Sequence, residues 1–231
     1  MRPRALPLLV ALLLCVTAAV AVPAVDARAP PTPVCGVCDL DRTTPGGESV
    51  VAGESELTVT IHENGSTTWR ARADLVAGAD ALAGNDTLRD AVAAEAADDG
   101  IADPRGVTAR LDGRTLVVEY RNPSAAERSV GTVVFTPLTP ASPNVPMVSG
   151  GEGGRYLAAD RLVVRADSGL DVRGTASAIS TPDWLVWTPN ATGDADPPSL
   201  DVTADPVAVD EDAWLPGVRA WVARRLAGNT L

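Results

Sequence analysis

Two features of this chain could do chemistry. The first is Cys35-Gly36-Val37-Cys38, two thiols separated by two residues. That spacing serves a structural disulfide in an oxidising compartment, a catalytic dithiol, or half of a zinc site. A catalytic dithiol needs a βαβ context, with the first Cys at a helix N-terminus that lowers its pKa. Pro30, Pro31 and Pro33 before the motif and Pro45-Gly46-Gly47 after it argue against that context. A closed zinc site needs two more soft ligands, and the chain has no second CxxC and one histidine. An intermolecular zinc site or disulfide stays open. The second feature is that histidine, His62. Any Ser-His or Cys-His catalysis must use it, and it falls beside a hairpin turn on a polar face, a poor place for a base.

Other chemistries are missing their residues. All 19 basic residues are Arg. Without Lys there is no Schiff base, no Walker A lysine and no Ser-Lys dyad. Neither a G-x-S-x-G elbow nor a G-x-G-x-x-G loop after a strand is present. A carboxylate pair for glycoside hydrolysis stays open, but eight aromatic residues are few for a sugar-stacking cleft. The chain reads as a non-enzymatic module with no cofactor and no metal site. The alternative is a thiol-redox or metal-handling protein using Cys35 and Cys38, and after it a carboxylate-dependent hydrolase.

Charge narrows the partners. Thirty acids, 21 of them Asp, against 19 Arg give a net charge of −11. Such a surface repels nucleic acid phosphates and anionic lipid headgroups, so no nucleic-acid partner is expected. Residues 1–27 read as a signal peptide: Arg2 and Arg4, then the uncharged run Ala5–Val25, then small residues at Val25-Asp26-Ala27. The alternative is an uncleaved N-terminal membrane anchor, since the run is almost long enough to span a bilayer. Either way the expected location is extracytoplasmic, secreted or at the cell surface. The partner is then an unknown protein or envelope component, with membrane association through the N-terminal run or the C-terminal helix.

The elements that must position these residues follow from periodicity. Residues 28–56 read as a Pro/Gly-rich arm or tether carrying the CxxC. In Leu57 to Ala73 apolar and polar residues alternate on both sides of Asn64-Gly65, which marks a β-hairpin. Only a three-residue loop, Glu63 to Gly65, pairs Val59 with Trp69 and Leu57 with Ala71 on one face, with Gly65 left-handed. An Ala-rich helix follows, capped by Asn85 or Thr87 and running to about Ala97, where Asp98 and Asp99 oppose the dipole and favour fraying. A second hairpin turns at Asp112-Gly113, pairing Ala109 with Leu116 and Val107 with Val118. Gly131 to Thr136 is a buried strand. Residues 137–154 are a loop or a boundary between two halves of a 57–228 domain. A third hairpin, across Asp167-Ser168-Gly169, pairs Leu162, Val164 and Ala166 with Leu170 and Val172. Trp184 to Trp187 is a strand with its two Trp on opposite faces. Residues 194–212 hold seven acids and no base, and read as a solvated surface.

The last element is an amphipathic helix over 211–227, with Trp214, Val218, Trp221, Val222 and Leu226 as its apolar stripe. The expectation is that it caps the core and buries both Trp. The alternative is a membrane or partner face formed by Trp214, Val218, Trp221, Arg224 and Arg225. The expected fold is therefore α+β: antiparallel hairpins in one or two sheets, with the two helices packed on them. Asn64, Asn85 and Asn190 each begin a glycosylation sequon.

LTVTIHENGSTTW (57–69), the CGVC arm before it, YRNPSAAERSVGTVVF (120–135) and AADRLVVR (158–165) resemble a group of exported haloarchaeal proteins of unknown function. The acidic, Lys-free composition resembles the same source. The resemblance spans most of 35–226 and implies an exported, surface-associated protein, with no activity to carry over. Members of the group tend to end in an apolar anchor, whereas this chain ends in RRLAGNTL.

Overall fold

The computed structural model describes residues 31–139, 154–176, 178–189, 200 and 202–227. The 1–27 segment and Asn190 lie outside them, as does most of 137–154. In chain order the structure begins with β1 (Thr32–Pro33), β2 (Asp41–Thr43), β3 (Ser49–Ile61) and β4 (Thr67–Ala77). Helices α1 (Ala79–Gly84) and α2 (Asp86–Asp98) lead to β5 (Arg105–Asp112), β6 (Thr115–Asn122), β7 (Ala126–Ser129) and β8 (Thr132–Phe135). Then come β9 (Arg155–Tyr156), β10 (Arg161–Ala166), β11 (Leu170–Arg173), β12 (Ile179–Ser180), β13 (Trp184–Trp187), β14 (Val207–Asp210) and α3 (Pro216–Ala227). The fold is α+β.

The main sheet runs β12-β13-β10-β3-β4-β6-β5, with β2 added on the start of β3. Its first hairpin has the expected register, Val59 opposite Trp69 and Leu57 opposite Ala71, and Gly65 takes φ +83°. Leu57, Val59, Ile61, Trp69, Ala71 and Ala73 are all buried. Against this apolar face lies a smaller sheet, β11-β14-β8-β7. Trp69 joins the layers: its ring stacks on Tyr120 at 6.0 Å and meets Phe135 of the small sheet at 5.8 Å. Its indole N–H donates to Thr67 Oγ1 at 2.7 Å, so the buried ring keeps no unpaired donor. In β8 every residue is buried. Val133 and Phe135 face the common core, while Val134 faces α3.

The structure corrects the sequence reading at several points. The second hairpin is shifted by two residues: Ala109 faces Val118 and Leu111 faces Leu116. Its loop is Gly113-Arg114, which needs one positive φ, at Gly113 (+62°), where Asp112-Gly113 would need two. A shift of two keeps the same side chains inside, so alternation alone could not detect it. The third hairpin does not form. β10 pairs in parallel with β3 and antiparallel with β13, whereas β11 crosses to the small sheet and pairs with β14. Because β3 joins β10 and β8 joins β14, residues 137–154 do not separate two sheets.

The arm is not a free tether. Val34, Cys35, Val37, Leu40 and Val50 are buried in the common core, and β3 begins inside the arm at Ser49. Helix α2 is as expected: it runs through Asp98, with Asn85 Oδ1 accepting from the Leu88 N–H as its cap. Arg42 of β2 pairs with Glu95 and Asp99, which offsets the acids at the negative end of the helix.

Candidate functional site

The cystine comes first. Cys35 and Cys38 are bonded, and their side chains are 0% and 6% exposed. The Cys38 N–H donates to the Cys35 carbonyl at 3.2 Å, closing a turn. That turn lies against the C-terminal end of α2, where a Cβ on Gly36 would stand 2.2 Å from the Ala96 carbonyl oxygen. A catalytic CxxC presents its first sulfur to solvent at a helix start. Here both sulfurs are covered, at a helix end. The arrangement closes a loop and has no exposed thiolate to offer.

His62 is better placed than its sequence position implied. Its Nδ1 lies 2.9 and 2.8 Å from the two carboxylate oxygens of Asp167, and its Nε2 lies 2.7 Å from Thr68 Oγ1. With Nδ1–H donating to the carboxylate, Nε2 accepts from the Thr68 hydroxyl, the order of groups in a nucleophile–base–carboxylate triad. Sequence reasoning missed it because Asp167 comes from the β10–β11 crossover, 105 residues away. A nucleophile also needs an oxyanion hole and a cleft. Thr68 sits on an interior strand, paired on one side with Thr60 and on the other with Arg121, so neighbouring backbone amides serve the ladder. Two surface concavities, of about 410 and 380 Å³, are lined by other residues. The relay acts as a clamp: Asp167 also donates its N–H to the Ile61 carbonyl at 3.0 Å, fixing the point where the chain changes sheets.

The third candidate is α3, which packs on a sheet as expected but starts at Pro216 rather than 211 and does not bury its Trp residues. Its buried face is Ala220, Ala223 and Ala227, seated on Val134, Val207 and Val209 of the small sheet. Small alanines let the helix approach the valines closely. The larger stripe therefore points away: Trp214 is 77% exposed, Trp221 61% and Val218 54%. Leu215 and Leu226 are exposed beside them. Arg224 turns inward, so it belongs to the fold and not to that face. Its guanidinium donates to the carbonyls of Asp205 (2.7 Å) and Arg173 (3.0 Å). Arg225 stays outside, 5.9 Å over the Trp221 ring.

Asp205 and Arg224 show what burial does to a pair. Burial pushes the Asp205 carboxyl up, against the Thr139 hydrogen bond and the Arg224 charge. Burial also lowers the Arg224 guanidinium, against the attraction of Asp205. For both groups desolvation outweighs the partner.

Two sequons lie in the described residues. Asn85, Asp86 and Thr87 are exposed at the start of α2. Asn64 is exposed too, but Ser66 is 5% exposed; its hydroxyl donates to Asn64 Oδ1 and accepts from Arg121. Among the described residues no group of three or more His, Cys, Asp or Glu is placed to hold a metal, and no helix is long and apolar enough to cross a membrane.

Comparison with protein-family models, curated proteins and solved structures finds no match for this chain.

Proposed function

We propose that this chain is an exported, non-enzymatic module of the cell envelope or cell surface, with a structural or partner-binding role. The observation that carries the reading is the outward face of α3. Val218, Trp221 and Leu226 of α3, with Trp214 and Leu215 immediately before it, stand in solvent, although a different face of the helix already secures it to the fold. Contiguous exposed apolar surface of this kind marks an interaction site. The N-terminal segment supports export, and the acidic surface supports solubility outside the cell. The covered cystine supports a structural rather than a redox role for Cys35 and Cys38.

The test is fractionation of the native host, with antibody detection of the untagged chain. Recovery with the envelope or surface layer supports the reading. Recovery in the cytosol, or disulfide exchange with a thioredoxin-like substrate at catalytic rates, sinks it.

A further inference from the structure

The outward face of α3 has a pattern that reads the same from either end. Trp214, Val218, Trp221 and Arg225 recur at steps of four, three and four. Such steps keep side chains on one stripe of a helix, and Trp214 stands one turn ahead of Val218 in the segment that leads into α3. Leu215 and Leu226 flank the stripe in solvent. Turned end for end, the stripe meets itself: Trp214 falls opposite Arg225, and Val218 opposite Trp221. A second copy of the same helix, laid antiparallel, supplies that match with no further residue.

Charge has the same sense. Helix α3 runs back along β14: its start follows Asp210, and near its end Arg224 reaches the Asp205 carbonyl, before β14. Glu211 and Asp212 therefore stand exposed at one end of the stripe and Arg225 at the other. Among the described residues Arg225 has no carboxylate partner, and its guanidinium lies over the Trp221 ring. Glu127 of β7 shares the row of Val134 and Val207 beneath the helix and does not pair with it. Arg219 is half-buried at the middle of the stripe. In an antiparallel pair each Arg225 comes to the partner's Glu211 and Asp212, twice by symmetry, and the two helix dipoles oppose. An apolar centre inside a charged rim is the layout of a protein contact. A bilayer is the poorer occupant, because three acids around one exposed cation repel anionic headgroups.

Backbone strain marks the same face. Leu215 is held at φ +52° with its side chain about half in solvent. The left-handed region is disfavoured for a bulky residue. Strain kept for a side chain that its own fold does not bury points to use outside the fold.

We propose that the outward face of α3 is the contact between two copies of this chain, packed antiparallel about a two-fold axis that crosses the helix beside Arg219 and Ala220. Each α3 is then covered on both sides. Its own small sheet holds Ala220, Ala223 and Ala227, and the partner covers Val218, Trp221 and Leu226 with Trp214 and Leu215. The inference rests on reading this face as an interaction site and names its partner as a second copy.

The test uses the full chain as recovered from its host. Sedimentation velocity is run from about 1 to 500 μM, because a contact one helix long belongs at the small, weak end of specific interfaces. Wild type is expected to pass from monomer to dimer within that series. Trp214→Ala/Trp221→Ala is expected to keep its melting temperature and to self-associate at least about a hundredfold more weakly, since each lost anchor counts in both copies. Arg225→Asp and Asp212→Arg are each expected to weaken the dimer roughly tenfold. The double variant Asp212→Arg/Arg225→Asp should recover most of that loss, because the two charges have exchanged places across the axis. The charge effect should fade near 1 M salt, where screening acts over about 3 Å, while the Trp effect stays. The N-terminal segment is common to all variants, so only differences between them count. A wild type that stays monomeric throughout overturns the proposal. So does a dimer that the Trp variant keeps, or a double swap no better than its single parents. Vesicle co-sedimentation of a monomeric wild type that the Trp variant loses overturns it too, and would give the face to lipid. A monomeric wild type that still fractionates with the envelope ends the dimer inference and leaves the envelope reading standing. A cytosolic wild-type chain ends the envelope reading itself.

Discussion

Arg224 of α3 reaches beneath its own helix and donates from Nε to the main-chain oxygen of Asp205, 2.7 Å away. The same guanidinium donates to the carbonyl of Arg173, so one side chain ties the helix to the segment before β14 and to the end of β11. Replacing it with Ala removes the donor of both bonds. Hydrogen bonds to a charged group contribute about 1.5–3 kcal/mol each at most. Arg224→Ala is expected to lower stability by roughly 2 kcal/mol and to speed amide exchange in α3 first. Exchange that rises uniformly across both sheets would place the linkage elsewhere.

Asp205 makes a pH prediction whose sign can be worked out. Its folded pKa is raised above the usual 3.8, chiefly by burial. Folding therefore favours the protonated form. The associated stability is present below the ordinary value and is lost as pH rises through the raised one. Asp205→Asn removes the ionisation and still offers an oxygen to the Thr139 hydroxyl. The variant is expected to gain on wild type as pH is raised from 3 towards neutrality, the difference closing at the acid end. Denaturant melts across that range decide it. A variant that loses ground with rising pH would mean that the Arg224 attraction outweighs burial.

Much of this fold was legible because alternation reports faces. Val59 opposite Trp69 could be derived, since only one loop length puts every apolar residue inside. Partners were not legible. Leu162 and Val164 do face the core, but their neighbours are Leu57 and Val59, over a hundred residues earlier, and local pattern is blind to that pairing. The terminal helix failed for another reason. Trp214 and Trp221 outrank alanine on any hydrophobicity scale, yet Ala220, Ala223 and Ala227 share a face at helical spacing too. A sheet face already filled by Val134, Val207 and Val209 has room only for the smaller set. The His62–Asp167 contact was hidden for the same reason as the β3–β10 pairing that creates it.

The cystine turn predicts a sensitive glycine. A Cβ on Gly36 would meet the Ala96 carbonyl oxygen at 2.2 Å, and backbone cannot yield as a side chain can. Gly36→Ala is expected to push the turn off α2 and cost about 1–3 kcal/mol, the range for overpacking. Cys35→Ser/Cys38→Ser should be destabilising in the same region. In the native wild type, alkylation after mild reductant should trap no thiol until the chain unfolds, because both sulfurs are covered. Rapid labelling of native protein would return the redox reading to the front.

The sequons should not be equivalent. A transferase must reach both the Asn amide and the hydroxyl two residues on. At Asn85 both are exposed at the start of α2, and Asn85 uses only its Oδ1, to accept from Leu88. At Asn64 the partner hydroxyl of Ser66 is covered and already bonded to Asn64 and Arg121, while the turn itself is pinned by the Ala126 N–H donating to the Gly65 carbonyl. A chain that folds before modification should therefore carry glycan at Asn85 and little at Asn64. Glycopeptide mass spectrometry of the protein from its own host measures the two occupancies directly. Ser66→Ala should leave the Asn85 glycan unchanged and, by removing the acceptor for Arg121, cost about 1 kcal/mol. Full occupancy at Asn64 with none at Asn85 would show that modification precedes folding of the hairpin, and that exposure in the finished structure does not select the site.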